Sequence, residues 1–136
     1  MNRYLLPPLV LLASCNYAPL CTSKVREVAR DLRSDRYATT ETRNCGATTD
    51  YTTIIRVGRN SQSPKDAEEV LVADSNHGDA GRGGLPSIWT SVTWTSPGHL
   101  QIAYSSRARV FRRVATSNGA TISFRATEPY PQPPVP

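Results

Sequence analysis

The sequence predicts a mainly β domain of α+β class: an antiparallel meander, sandwich or partly open barrel of about six to seven strands, opened by one short N-terminal helix. Three observations predict it. Apolar residues recur at every second position through several runs after Tyr37, as half-buried strands require. Turn clusters such as Ser96-Pro97-Gly98 and Ser117-Asn118-Gly119 separate those runs. One stretch, Thr22 to Ser34, instead places Val25, Val28, Ala29 and Leu32 on one helical face, with Lys24, Arg26, Glu27, Arg30, Asp31 and Arg33 on the other.

Taken in order, Ser23 is a plausible N-cap for that helix. A helix this short needs a surface to dock on, and its β-branched residues also permit a strand. Tyr37 to Asn44 is polar and Thr-rich, like an edge or solvent-facing strand. Tyr51 to Val57 alternates, with Tyr51, Thr53, Ile55 and Val57 on one face, and Val70 to Asp74 is a short apolar strand. Gly58 to Asp66 reads as a polar loop, and Asn76 to Pro86 as a mobile, glycine-rich one. Next, Ile88, Thr90, Val92 and Trp94 share a face. Pairing Trp94 with Leu100, Val92 with Ile102 and Thr90 with Tyr104 keeps the apolar side chains of a hairpin on one side. A second hairpin joins Val110–Thr116 to Ala120–Ala126. A three-residue loop there pairs Val114 with Ile122 and Val110 with Ala126; a two-residue Asn-Gly loop would set Arg113 against Phe124.

The 136 residues fit one small domain, and the net charge of +5 is carried almost wholly by arginine. No long apolar run follows residue 13, so no transmembrane helix is expected after it.

The first residues have the layout of an export signal. Arg3 supplies a positive start, and Leu5 to Ala13 is an apolar run too short to span a bilayer and interrupted by Pro7 and Pro8. No Ala-x-Ala cleavage site closes the run. It ends in Leu12-Ala13-Ser14-Cys15, which resembles the bacterial lipobox. That resemblance implies diacylglycerol on the Cys15 sulfur, cleavage just before it, and acylation of the new amino group. Two or three acyl chains would make the anchoring effectively permanent. The expected organisation is a signal at 1–14, a lipidated tether at 15–21, a β-rich domain at 22–127 and a proline-rich disordered tail at 128–136. Asn16 behind the lipidated cysteine implies, by resemblance to sorting rules of diderm bacteria, the periplasmic face of the outer membrane. The partners expected of such a chain are the membrane itself and another envelope protein or an anionic envelope polymer. Nucleic acid is not expected; the lone Arg82-Gly83-Gly84 triplet does not argue for it.

Three cysteines are present. With Cys15 acylated, Cys21 and Cys45 remain as a pair in an oxidising compartment, either bridged or free and buried. A bridge would stabilise the fold by about 3.5 kcal/mol in the chain-entropy model.

Asn44-Cys45-Gly46-Ala47-Thr48-Thr49-Asp50-Tyr51, with Val92-Thr93-Trp94 and Leu100-Gln101-Ile102-Ala103-Tyr104 further on, resembles a family of small uncharacterised bacterial proteins that carry a Cys-Gly-Ala-Thr-Thr segment before a strand. The likeness covers about Cys21 to Phe124 and implies strands but no mechanism. The segment itself reads either as a disulfide-pinned turn or as a backbone and hydroxyl nest for a small ligand.

Chemistry-bearing residues are sparse. The chain lacks Gly-x-Ser-x-Gly, His-Glu-x-x-His and phosphate-loop motifs, so no cofactor or metal is expected. His77, in Asp74-Ser75-Asn76-His77-Gly78-Asp79, reads as a base with Asp74 or Asp79, as a metal ligand together with them, or as part of a merely solvated loop. His99 is most simply a turn residue. Glu68 and Glu69 adjoin on a strand and point to opposite faces, a poor glycosidase pair. Trp89 is out of phase with Trp94, so it packs under the helix or is exposed to a sugar or protein. Arg107, Arg109, Arg112, Arg113 and Arg125 cluster in the second hairpin, as a solvated face or as a basic patch for headgroups or an acidic partner. Trp89, His77, Arg109 and Arg113 are therefore the candidate binding residues, and no catalytic set is assigned. The function classes that remain are a lipid-anchored envelope binding or structural module, an inhibitor or immunity-type lipoprotein using the Asn76–Pro86 loop against a wall-degrading enzyme, and a hydrolase using His77.

Overall fold

Alternating and β-branched segments pair into strands throughout a computed structural model that describes residues 20–46, 49–82 and 85–128. In chain order these are β1 (Thr22–Arg30), β2 (Arg36–Asn44), β3 (Thr52–Arg59), β4 (Glu68–Asp74), β5 (Gly81–Arg82), β6 (Leu85–Ile88), β7 (Thr90–Ser96), β8 (His99–Ser105), β9 (Arg109–Arg113), β10 (Thr116–Ser117) and β11 (Ala120–Thr127), with a 3-10 turn at Pro64–Asp66. A five-stranded sheet has the order β1-β2-β3-β4-β9, a four-stranded sheet the order β10-β11-β8-β7, and β5 pairs with β6. The expected signal segment, Cys15, most of the expected tether and the proline-rich tail from Pro129 lie outside the described residues.

The core forms from inward-facing residues of both sheets. Ile55, Val57 and Leu71 of the first meet Leu100, Ile102 and Ile122 of the second, all of them buried. The hairpin of β7 and β8 has the expected register: Trp94 opposite Leu100, Val92 opposite Ile102, Thr90 opposite Tyr104.

Several expectations are corrected. Thr22 to Ser34 is no helix: most of it is β1, paired antiparallel with β2. The helical spacing of its valines comes from an irregularity between Val25 and Glu27, which places Val25 opposite Glu41 and Val28 opposite Thr39. An extra residue in the strand turns i, i+3 into one face of a sheet. That face offers a helix nothing to bury, since Val25 and Val28 are half-exposed. The ladder to β2 satisfies the backbone instead.

β2 is not an edge strand. It lies between β1 and β3, and Thr39, Thr40 and Thr42 are all buried. The 58–66 segment is only partly loop, because Gly58 and Arg59 complete β3. Gly58 is required there: a Cβ would stand 2.8 Å from the Tyr37 ring. In the 76–86 loop, β5 pairs with β6.

The second hairpin differs most. Its loop is the two-residue Asn118-Gly119 turn, with φ of 51° and 75° and Ser117 opposite Ala120. Positive φ at both positions matches the strand twist of a tight hairpin. The expected pairs Val114–Ile122 and Val110–Ala126 do not form. β9 crosses to the first sheet and covers the open edge of β4, while β11 lies parallel to β8. The strand arrangement is therefore mixed rather than wholly antiparallel, and more divided than six or seven strands. Among the described residues, no helix is long and apolar enough to cross a membrane.

Candidate functional site

Antiparallel pairing gathers the starts and ends of the first sheet's strands at two poles. At one pole lie the start of β1, the end of β2, the start of β3, the end of β4 and the start of β9. Cys21 and Cys45 are joined there in a disulfide. Beside it a concavity of about 350 Å³ is lined by Cys45, Asp50, Asp74, His77, Arg109 and Phe111, among others.

Asp74 ends β4 and is buried. The chain then turns through Asn76, His77 and Gly78, all at positive φ. This turn aims the Asn76 N–H at Asp74 Oδ1 (2.9 Å) and the His77 N–H at Asp50 Oδ2 (2.7 Å). Arg109 donates side-on to Asp74, through Nε to Oδ1 (3.2 Å) and Nη2 to Oδ2 (2.5 Å). Its guanidinium also lies 5.0 Å from the centre of the Phe111 ring. Burial acts to raise the Asp74 carboxyl. The Arg109 hydrogen bond, the Asn76 N–H and the charges of Arg109 and His77 outweigh it, so the group sits below the usual carboxylate range. The hydrogen bond to Asp74 in turn holds Arg109 above its ordinary value.

His77 and Arg109 are thus brought together, and Arg113 and Trp89 are not. Arg113 lies toward the other end of β9, donates to the Tyr104 hydroxyl at 3.1 Å and packs over Phe124. Trp89 is half-buried between β6 and β7, with no helix above it, and its carbonyl accepts the Ser105 N–H. Neither carboxylate expected beside His77 orients its ring. Asp74 is taken by Arg109, and Asp79 faces Arg107 at 3.7 Å. Asp50 approaches instead, at 3.8 Å from Nδ1, and the imidazole is 79% exposed. Among the described residues, no hydroxyl or thiol is hydrogen-bonded to that ring, and no group of three His, Cys, Asp or Glu is arranged to hold a metal ion. Asp50 and Phe111 are absent from the sequence-derived set. Their signals are a carboxylate just after the Cys-Gly-Ala-Thr-Thr segment and an aromatic inside an arginine run.

The opposite pole carries the turns. Asp31, buried at the end of β1, accepts hydrogen bonds from the Gly98 N–H (2.8 Å), the Ser34 hydroxyl (2.7 Å) and the Arg33 N–H (3.2 Å). The Gly98 N–H does most to lower its carboxyl; Ser34, Arg33 and the charge of Arg36 assist against burial. The 31–35 turn of one sheet is thereby locked to the 97–98 turn of the other. Arg36 and Arg59 both donate to the Asn118 carbonyl, at 2.8 and 2.9 Å, tying in the third turn. On this braced frame Leu32 stands 94% exposed. Beside it a groove of about 520 Å³ runs between Arg30, Leu32 and Arg33 on one wall and Trp94 and Pro97 on the other. The Trp94 indole is fixed by donating to the Ala29 carbonyl at 3.0 Å.

No family model, no curated protein and no solved structure matches this chain.

Proposed function

We propose that the chain is a lipid-anchored binding module of the bacterial cell envelope, acylated at Cys15, which presents the turn-bearing pole to another envelope protein. The observation that carries this reading is the polarity of the fold. Cys21, just ahead of β1, and Glu128, just after β11, both sit at the disulfide pole, the latter because β11 runs parallel to β8 and ends opposite Ser105. A chain tethered through residues 15–21 then points its 31–35 and 97–98 turns away from the bilayer. There, Leu32 and the Trp94 groove offer an apolar contact flanked by Arg30 and Arg33, on a frame that Asp31 holds in place. Leucine beside arginine and tryptophan, pre-ordered before binding, suits a protein partner with an apolar pocket and acidic margins. The inhibitor or immunity-type reading draws on the same turn or on the 76–86 loop, where His77 and Asp79 are exposed.

A photo-crosslinking residue placed at Leu32 in the membrane-bound protein tests the reading, with a matched residue at the exposed Asp79 as control. A discrete protein adduct from position 32, missing from position 79, is the expected result. No adduct at position 32 above the control would contradict it.

A further inference from the structure

We infer that the exposed edge of β9, led by Phe111 and Val110, rests in the headgroup region of the bilayer that holds the chain. This rests on the anchoring of Cys15 proposed above. Cys21 stands six positions after Cys15, so covalent geometry keeps the two within about 20 Å of each other. Cys21 is bonded to Cys45, and Cys45 and Phe111 line one concavity. Phe111 is therefore carried at the end of the sheet where the anchor would enter. β9 is the last strand of its sheet, and all five of its residues are exposed. Phe111 is 59% exposed and Val110 38%; Leu20, next to the disulfide, is exposed as well. Three of the large apolar side chains that the fold leaves in water thus belong to this pole, where a bilayer surface would cover them. Arg109, stacked over the Phe111 ring, can stay at phosphate level while the ring enters the interface.

The neighbouring charges decide what kind of contact this is. Arg109 pairs with Asp74, Arg107 with Asp79 and Glu128, and Arg112 with Glu68. Around β9 itself, little net positive charge is left to seek anionic lipid. The contact is apolar, and salt should hardly alter it.

The test uses the full acylated protein in vesicles of phosphatidylethanolamine and phosphatidylglycerol, with Phe111→Trp as reporter and Ser61→Trp, at the opposite pole, as control. Emission is read as the difference from the unsubstituted chain, which contributes Trp89 and Trp94. Brominated lipid should quench the Phe111→Trp signal at least about twofold more than the Ser61→Trp signal, with a blue-shifted spectrum, as for an aromatic side chain at a membrane interface. Added salt should leave this unchanged. Equal quenching of both reporters on a chain whose mass shows the acyl groups would overturn this inference alone. A chain without acyl groups would overturn the anchoring and this inference together. Quenching that salt abolishes would replace the apolar contact with an electrostatic one.

Discussion

Asp31 is the residue on which the two sheets' turns depend. Its carboxylate serves Gly98 across the sandwich and Ser34 and Arg33 within its own turn. Replacing it with asparagine removes the charge and orphans at least one of these donors. We expect Asp31→Asn to cost about 1–3 kcal/mol at neutral pH, the range for leaving a buried donor without its partner. The folded-state pKa is lowered, so the contribution is complete above the unfolded carboxylate pKa of about 3.9 and is lost as pH falls through the depressed value. Denaturant midpoints of the two proteins should therefore converge in acid. Asp74 and Glu128 are lowered too, so the variant keeps part of the acid sensitivity. A gap of constant size down to low pH would show that Asp31 is not the bracing group.

At the scale of elements, pairing decisions made far along the chain separate what the sequence discloses from what it conceals. The apolar pairs of the β7–β8 hairpin are legible, since its alternation fixes their register; the irregularity between Trp94 and Ser96 beside the turn is not. β1 is misleading because a bulge shifts its valines to helical spacing, and no local signal marks the bulge. β9 is legible as a strand but not as a partner. Its choice of β4 over β11 depends on an edge formed some 35 residues earlier, as the Arg109–Asp74 separation shows. The site follows the same rule. His77 and Arg109 are recognisable by residue type, whereas their meeting with Asp50 and Phe111 exists only once β3, β4 and β9 align. The Asn118-Gly119 turn gives this scale its test. Gly119 has a φ of 75°, and a Cβ there would stand 2.9 Å from Arg36 Nη2. The left-handed backbone dictates the cost and the guanidinium can move aside, so Gly119→Ala should lose about 1–2 kcal/mol. An unchanged midpoint in equilibrium unfolding would mean that the turn is not held in this form.

For the molecule as a whole, the disulfide joins two roles at one pole. It closes the β1–β2 pair beside Thr22 and Asn44, and it fixes where the tether would enter. Replacing both cysteines with serine should cost about 3.5 kcal/mol in the chain-entropy model, read as a shift of the unfolding midpoint. It should also loosen the orientation of the tether without altering the Asp31 lock at the far pole. The proposed direction of the domain, with Phe111 toward the bilayer and Leu32 away from it, would follow from attachment at Cys15. Intact mass of the protein taken from host membranes, before and after reduction, measures that attachment directly. The account predicts a chain that begins at Cys15, bears diacylglycerol and acyl groups, and gains the mass of about two hydrogens on reduction of its one bridge. A chain without acyl groups, or one cleaved elsewhere, would contradict it.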